Sequence, residues 1–101
     1  METLMPIIHM IYTTVPADQA AEAERNWKVE CAPIMISQPG CLTEELLRCT
    51  QSPGEYISYS EWDNEANLRK YLGSKDHQEI KRFNSGIVGA TVVVKDYEAV
   101  G

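Results

Sequence analysis

The periodic segments run in the order strand, helix, strand, strand, two short helices, strand. That order predicts an α+β fold: a ferredoxin-like βαββαβ chain whose four-stranded antiparallel sheet carries its helices on one face. Three observations carry the prediction. The run "PIIHMIYTTV" is dense in β-branched and aromatic residues, which suit a pleated, half-buried surface. Ala20, Ala23, Trp27, Cys31 and Ile34 recur every three or four residues, the spacing of one helical stripe. The turn signals "SQPG" and "QSPGE" then cut out two consecutive strands.

In the first strand, Ile7, His9, Ile11 and Thr13 fall on one face, and Ile8, Met10 and Tyr12 on the other, because side chains alternate along a strand. Pro16 ends it. "ADQAAEAERNWKVECAPIM" has helix composition, with Asp18 as its expected N-cap; Pro33 is expected to kink or end it. "CLTEELLRCT" reads as a strand mainly from its flanking turns, since its alternation is weak and its Leu and Glu content also suits a helix. "YISYSEW" is a clearer strand, with Ile57 and Tyr59 on one face and Tyr56 and Trp62 on the other. Asp63 is the expected cap of "NEANLRKYL", whose apolar side is Ala66, Leu68, Tyr71 and Leu72, and Gly73 stops it. Ser74 is the expected cap of "KDHQEIKRF", with Ile80 and Phe83 facing inward. Gly86 and Gly89 bracket the loop into the last strand, "ATVVVKDYEA".

The 101 residues suit a single domain spanning 1–101. A domain of this size buries only about two-thirds of its unfolded surface. Its strands have apolar residues on both faces, so the sheet face without helices is expected to be covered by a second copy of the chain. The net charge of −6 argues against nucleic acid, whose binding relies on Lys and Arg at the phosphates, and against anionic membrane surfaces. Cys31, Cys41 and Cys49 form no C-x-x-C pair and no zinc spacing, and free thiols fit a reducing cytoplasm. The N-terminal stretch reads as no signal peptide, and no apolar run approaches the roughly 20 residues of a membrane span.

Pro39-Gly40 before a strand, Trp62 at a strand end, Glu65-Ala66 in the following helix and Ser74-Lys75-Asp76-His77 at the next helix start occur in order and at the right spacing. With them the chain resembles the antibiotic biosynthesis monooxygenase (ABM) family. The resemblance implies a dimeric α+β barrel in which two sheets pack face to face and each subunit keeps a pocket between its sheet and its helices. It also implies a range of activities: cofactor-independent oxygenases of polyketide quinones, quinol monooxygenases and heme-degrading enzymes.

A cofactor-free oxygenase must bind an electron-rich aromatic, deprotonate it and exclude water. His77 and His9 are the candidate bases, since an unperturbed imidazole titrates near neutrality. Tyr12, Tyr56, Trp62 and Tyr71 are candidate pocket walls. Each has a plainer reading. His77 is otherwise a first-turn residue in solvent or bonded to a carboxylate. His9 is otherwise a satisfied histidine on a packed or interface face. Trp62 otherwise packs the sheet onto the helices, and Tyr71 belongs to the core. The two residue sets of "YISYSEW" cannot line one pocket. Heme degradation is disfavoured, because the first strand lacks the Asn and the helix lacks the Trp that the resemblance calls for. Two imidazoles without HExxH or a carboxylate pair make no metal site.

The sequence thus reads as a homodimeric, cofactor-independent monooxygenase of a small aromatic, quinol or polyketide-type compound. The alternative is a non-catalytic, small-molecule-binding or stress-associated dimer of the same fold, which an apolar pocket with both histidines turned outward would favour.

Overall fold

The computed structural model describes residues 6–84 and 89–100, and of residues 83 and 84 the backbone alone. The expectations for Phe83 and Gly86 lie outside that description. Strands β1 (Ile7–Thr14), β2 (Cys41–Arg48), β3 (Glu55–Trp62) and β4 (Thr91–Glu98) form one sheet in the order β2-β3-β1-β4. All neighbouring strands are antiparallel. The helices are α1 (Ala20–Asn26), α2 (Ala32–Ile36), α3 (Glu65–Leu72) and α4 (Lys75–Asn84). This is the ferredoxin-like α+β arrangement that the segment order predicts.

Parity decides what faces the helices. On β1 the register places His9 opposite Ser60 on one side and Asp96 on the other. His9, Ser60 and Asp96 therefore share the helix-facing side with Tyr56, Ser58 and Trp62. The opposite face presents Ile8, Met10, Tyr12, Ile57, Tyr59, Val93 and Tyr97, with no helix over it among the described residues; Val93 is 53% exposed and Tyr97 43%.

The weak alternation of β2 has a structural cause. Its register against β3 shifts between Cys41 and Thr43, so Leu42 is an extra, bulged residue. A bulge of one residue reverses the parity that follows it. Cys41 and Glu44 consequently both point at the helices, whereas strict alternation from Cys41 would have turned Glu45 inward.

The first helical segment departs from expectation at its cap, and at Pro33, where a kink or an end is expected, it is interrupted and not ended. Asp18 is not its cap: a 3-10 turn (Ala17–Gln19) starts the segment from Pro16, whose carbonyl accepts from Gln19 N–H at 2.9 Å, and Asp18 lies within that first turn. Pro33 does not end it either. A π-turn (Trp27–Cys31) precedes α2, with Ala32 N–H reaching back to Trp27 O, and Pro33 occupies the first turn of α2. Placing the wide turn immediately before the proline restarts the ladder where the missing N–H is tolerated.

Asp63 is likewise not the cap of α3. Asn64 is, its Oδ1 accepting from Asn67 N–H at 2.8 Å, while Asp63 accepts from Asn67 Nδ2 at 2.8 Å. Asp63 N–H also donates to Gly40 O at 2.8 Å. Gly40 has φ of +86°, and a Cβ there would run into Asp63 and Asn67. The Pro-Gly turn and the strand-to-helix corner after Trp62 are thus one packed unit. Ser74 caps α4 as expected, its Oγ accepting from His77 N–H at 3.1 Å. The core between the layers is Cys31, Met35, Trp62, Leu68, Tyr71 and Ile80.

Candidate functional site

A cavity of about 470 Å³ lies between the helix-facing side of the sheet and the helices. Its walls include His9, Ile11 and Thr13 of β1, Tyr56 and Ser58 of β3, Val92 and Val94 of β4, Trp27 of the π-turn, Tyr71 of α3, and His77 and Lys81 of α4. Both candidate histidines line it. His9 is brought there by β1 parity and His77 by the Ser74-capped first turn of α4.

The two imidazoles are held differently. His9 is 2% exposed, and its Nδ1 lies 2.5 Å from Asp96 Oδ1 on the adjacent strand. His77 Nδ1 lies 2.9 Å from the backbone carbonyl of Leu72. A carbonyl only accepts, so His77 Nδ1 carries the hydrogen and Nε2 keeps its lone pair. Burial pushes the His77 pKa below its usual value, partly countered by the Leu72 carbonyl, with Lys81 and His9 pushing the same way as burial.

Tyr71 joins scaffold to site. Its ring stacks on Trp62 with centroids 5.0 Å apart and meets His77 edge-on at 5.0 Å. Burial raises its phenol pKa, with Glu44 adding to the effect. Trp62 shares the inward face with Tyr56 but is not a cavity wall: it is fully buried beneath Tyr71, and its Nε1–H donates to Ser60 Oγ at 3.0 Å. Ser60 in turn donates to the His9 carbonyl at 3.3 Å, so the indole braces the strand that carries His9.

Tyr12 does not reach the cavity. It stands one residue out of parity with His9 and Ile11, on the helix-free face. There its hydroxyl is 3.4 Å from that of Tyr97, and Lys95 Nζ is 5.7 Å from its ring centroid. Tyr56 does line the cavity. Its hydroxyl donates to Glu24 Oε2 at 2.6 Å, and Arg48 Nε donates to the same oxygen at 2.8 Å. Arg48 and then Tyr56 hold the Glu24 carboxyl down at about 2.

Three groups near the cavity were not singled out from sequence. Trp27 was visible only as part of an apolar stripe. Asp96 had a readable signal, a carboxylate in parity with Val92 and Val94 on an otherwise apolar inward row. Glu44 was masked by the bulge. Its Oε2 is buried without a hydrogen-bond partner among the described residues, and Ser58 Oγ approaches Oε1 only to 3.5 Å. Burial pushes its carboxyl up to about 8. Cys31 and Cys41, next to it, are pushed up to about 11, chiefly by burial, which keeps them unreactive thiols near neutrality.

Among the described residues, no three of His, Cys, Asp and Glu gather in a way that could hold a metal ion, and no helix is long and apolar enough to cross a membrane.

The sequence profile of a family described as antibiotic biosynthesis monooxygenase matches residues 6–82. No curated protein matches the chain. Several solved structures share the fold. A conserved protein from Methanosarcina mazei superposes with a TM-score of 0.84 at 16% identity, over 97% of this chain and 96% of that one. PA3566 from Pseudomonas aeruginosa gives 0.80 at 17% identity over the whole of both chains. SnoaB, a cofactor-independent oxygenase from Streptomyces nogalater, gives 0.76 at 14% identity, over 95% of this chain and 96% of that one.

Proposed function

The chain belongs to the antibiotic biosynthesis monooxygenase family, and from that premise we propose that it is a cofactor-independent monooxygenase of a small aromatic, quinol or polyketide-type substrate. The observation that carries this reading is that two imidazoles, the buried His9 and the half-buried His77, line one aromatic-walled cavity. Its volume of about 470 Å³ suits a compound of a few fused rings.

The chemistry asks little beyond these groups. A histidine Nε2 takes the proton of a phenol, hydroquinone or anthrone-type CH, and the resulting anion gives an electron to dioxygen. Recombination at the ring carbon forms a hydroperoxide. Its collapse leaves one oxygen on the substrate and releases the other as water. Trp27, Tyr56 and Tyr71 offer the flat faces against which such a ring packs, and the helix layer limits competing water. A purely ligand-storing protein gives no reason for both histidines to sit on the cavity wall.

Oxygen uptake with a panel of hydroquinones and anthrones tests the reading. Turnover should occur without added cofactor and fall by roughly 10²-fold or more in the His9→Ala/His77→Ala double variant, the usual contribution of a general base. Ligand-induced thermal stabilisation with no oxygen uptake on any substrate would leave the binding-protein alternative in its place.

The same reading takes residues 1–101 as one domain acting as a homodimer in the cytoplasm. The apolar helix-free face, with Val93, Tyr97 and Leu47 exposed, is the surface a second copy would cover. Light scattering at micromolar concentration should give twice the chain mass. A stable monomer would remove the dimer.

A further inference from the structure

We propose that Asp96 is a positioning residue that fixes His9 as the Nδ1–H tautomer, and that this makes His9, rather than His77, the proton acceptor of the cavity. The assignment rests on the oxygenase reading for its purpose, but its geometry stands apart from it. Asp96 and His9 are a directly opposed cross-strand pair of β4 and β1, with Oδ1 2.5 Å from Nδ1. A carboxylate accepts and does not donate. Nδ1 therefore carries the hydrogen, and Nε2 is the ring nitrogen left for a molecule in the cavity.

His77 presents the same tautomer, so availability of a lone pair does not separate the two rings. What separates them is the charge that follows proton transfer. When His9 takes a proton, the imidazolium faces Asp96, and the two form an ion pair in which the ring is 2% and the carboxylate 48% exposed. The half-exposed carboxylate keeps part of its hydration, so its attraction offsets the desolvation of the buried ring at little further cost. When His77 takes a proton, its Nδ1 partner is the neutral carbonyl of Leu72, its ring abuts Tyr71, and Lys81 shares the cavity wall. That charge is half-buried against a neutral acceptor and beside a cation, the costlier of the two states. His77 is then a neutral acceptor that orients a hydroxyl of the ligand.

The step is a single proton transfer. The O–H bond of a bound phenol breaks, its pair stays on oxygen, and the proton bonds to His9 Nε2. No oxidant enters, so it can be measured without dioxygen.

Two measurements test the proposal. Nitrogen-15 NMR of the imidazoles in the ligand-free protein should show His9 as a single Nδ1–H tautomer, and Asp96→Ala should convert it to a mixture while His77 is unchanged. Para-nitrophenol, whose absorbance reports ionisation, is then added anaerobically at fixed pH. The ratio of ionised to neutral bound phenol should drop at least tenfold in Asp96→Ala and in His9→Gln, and by much less in His77→Gln. Asp96→Asn, whose amide oxygen can still accept from Nδ1, should keep the tautomer but lose the ionisation. Thermal melts of each variant check that it is folded.

A His9 tautomer unaltered by Asp96→Ala overturns the positioning role. Nitrophenol that stays neutral on the wild-type protein, fails to bind it, or depends on His77 instead, overturns the proton-acceptor role. Asp96-dependent ionisation without oxygen uptake on any substrate would sink the oxygenase reading and leave this one standing.

Discussion

Glu24 and Glu44 are two carboxylates in the same space between sheet and helices, and they end in opposite states. Glu24 reaches down from α1 to Arg48 and Tyr56, which supply three hydrogen bonds from charged or phenolic donors, and its carboxyl is held at about 2. Glu44 rises from β2 four residues before Arg48, finds one long contact to Ser58, and is pushed up to about 8. Solvent access does not by itself distinguish them, since the Glu24 side chain is only 18% exposed. Burial raises both, and only Glu24 has partners that outweigh it. Where donors converge, the anion is the stable form, and where they do not, the proton is retained. The space between sheet and helices therefore carries a fixed Glu24–Arg48 ion pair at one end and a neutral acid beside Ser58 and Tyr71.

The largest expected effect comes from the unpartnered acid. Unfolded, Glu44 titrates near 4.5, and folded it holds its proton to about 8. Below 4.5 both states are protonated and stability is unaffected. Between 4.5 and 8 the unfolded chain loses the proton while the folded chain keeps it, so stability falls as pH rises. The full loss is on the order of a few kcal/mol. Urea unfolding across this window should show a decline in the wild type that is lost in Glu44→Gln, where the lowered His77 leaves a gentle rise instead. Glu44→Leu should be more stable than wild type at pH 8, because it removes a buried oxygen that has no partner. A wild-type profile with the same slope as Glu44→Gln between these limits would mean that Glu44 is solvated and that the contrast with Glu24 is false.

That contrast also marks how far the sequence could be read. The element order, both turns, the Ser74 cap and the burial of Cys31 and Trp27 along one stripe follow from local periodicity and turn chemistry, and the structure has them. His9 and His77 could be nominated because few residue types perform proton transfer near neutrality. The errors fall where a single residue of register decides the outcome. Whether Tyr12 or His9 faced the helices was undetermined until the helices were placed, since a strand's two faces differ only in parity. Glu44 was hidden because the bulge at Leu42 reverses the parity of all that follows it. The caps went elsewhere: Asn64 displaces Asp63 because short polar side chains one residue apart compete for the same orphan amides, and Asp18 falls inside a 3-10 turn that starts from the Pro16 carbonyl. Asp96 could be seen locally as a carboxylate in parity with Val92 and Val94, but its pairing with His9 comes from the long-range register of β1 with β4.

The partnered carboxylate gives smaller effects of the opposite sign. Glu24 is held below its ordinary 4.5, so its contribution to stability is present above that value and is lost as pH falls towards 2. Carbon-13 titration of the Glu24 carboxyl should show Arg48→Met moving its pKa up the most, because Arg48 is the leading cause of the depression. Tyr56→Phe should move it less. The Arg48 side chain is 64% exposed, so raising the salt from low to molar concentration should reduce the Arg48 contribution while leaving the more buried Tyr56 bond. In Arg48→Met the remaining depression should therefore be nearly independent of salt. An equal response to Arg48→Met and Tyr56→Phe at every salt concentration would show that the guanidinium and the phenol act as one network, and that Glu24 differs from Glu44 by its cooperative cage and not by the charge of any single partner.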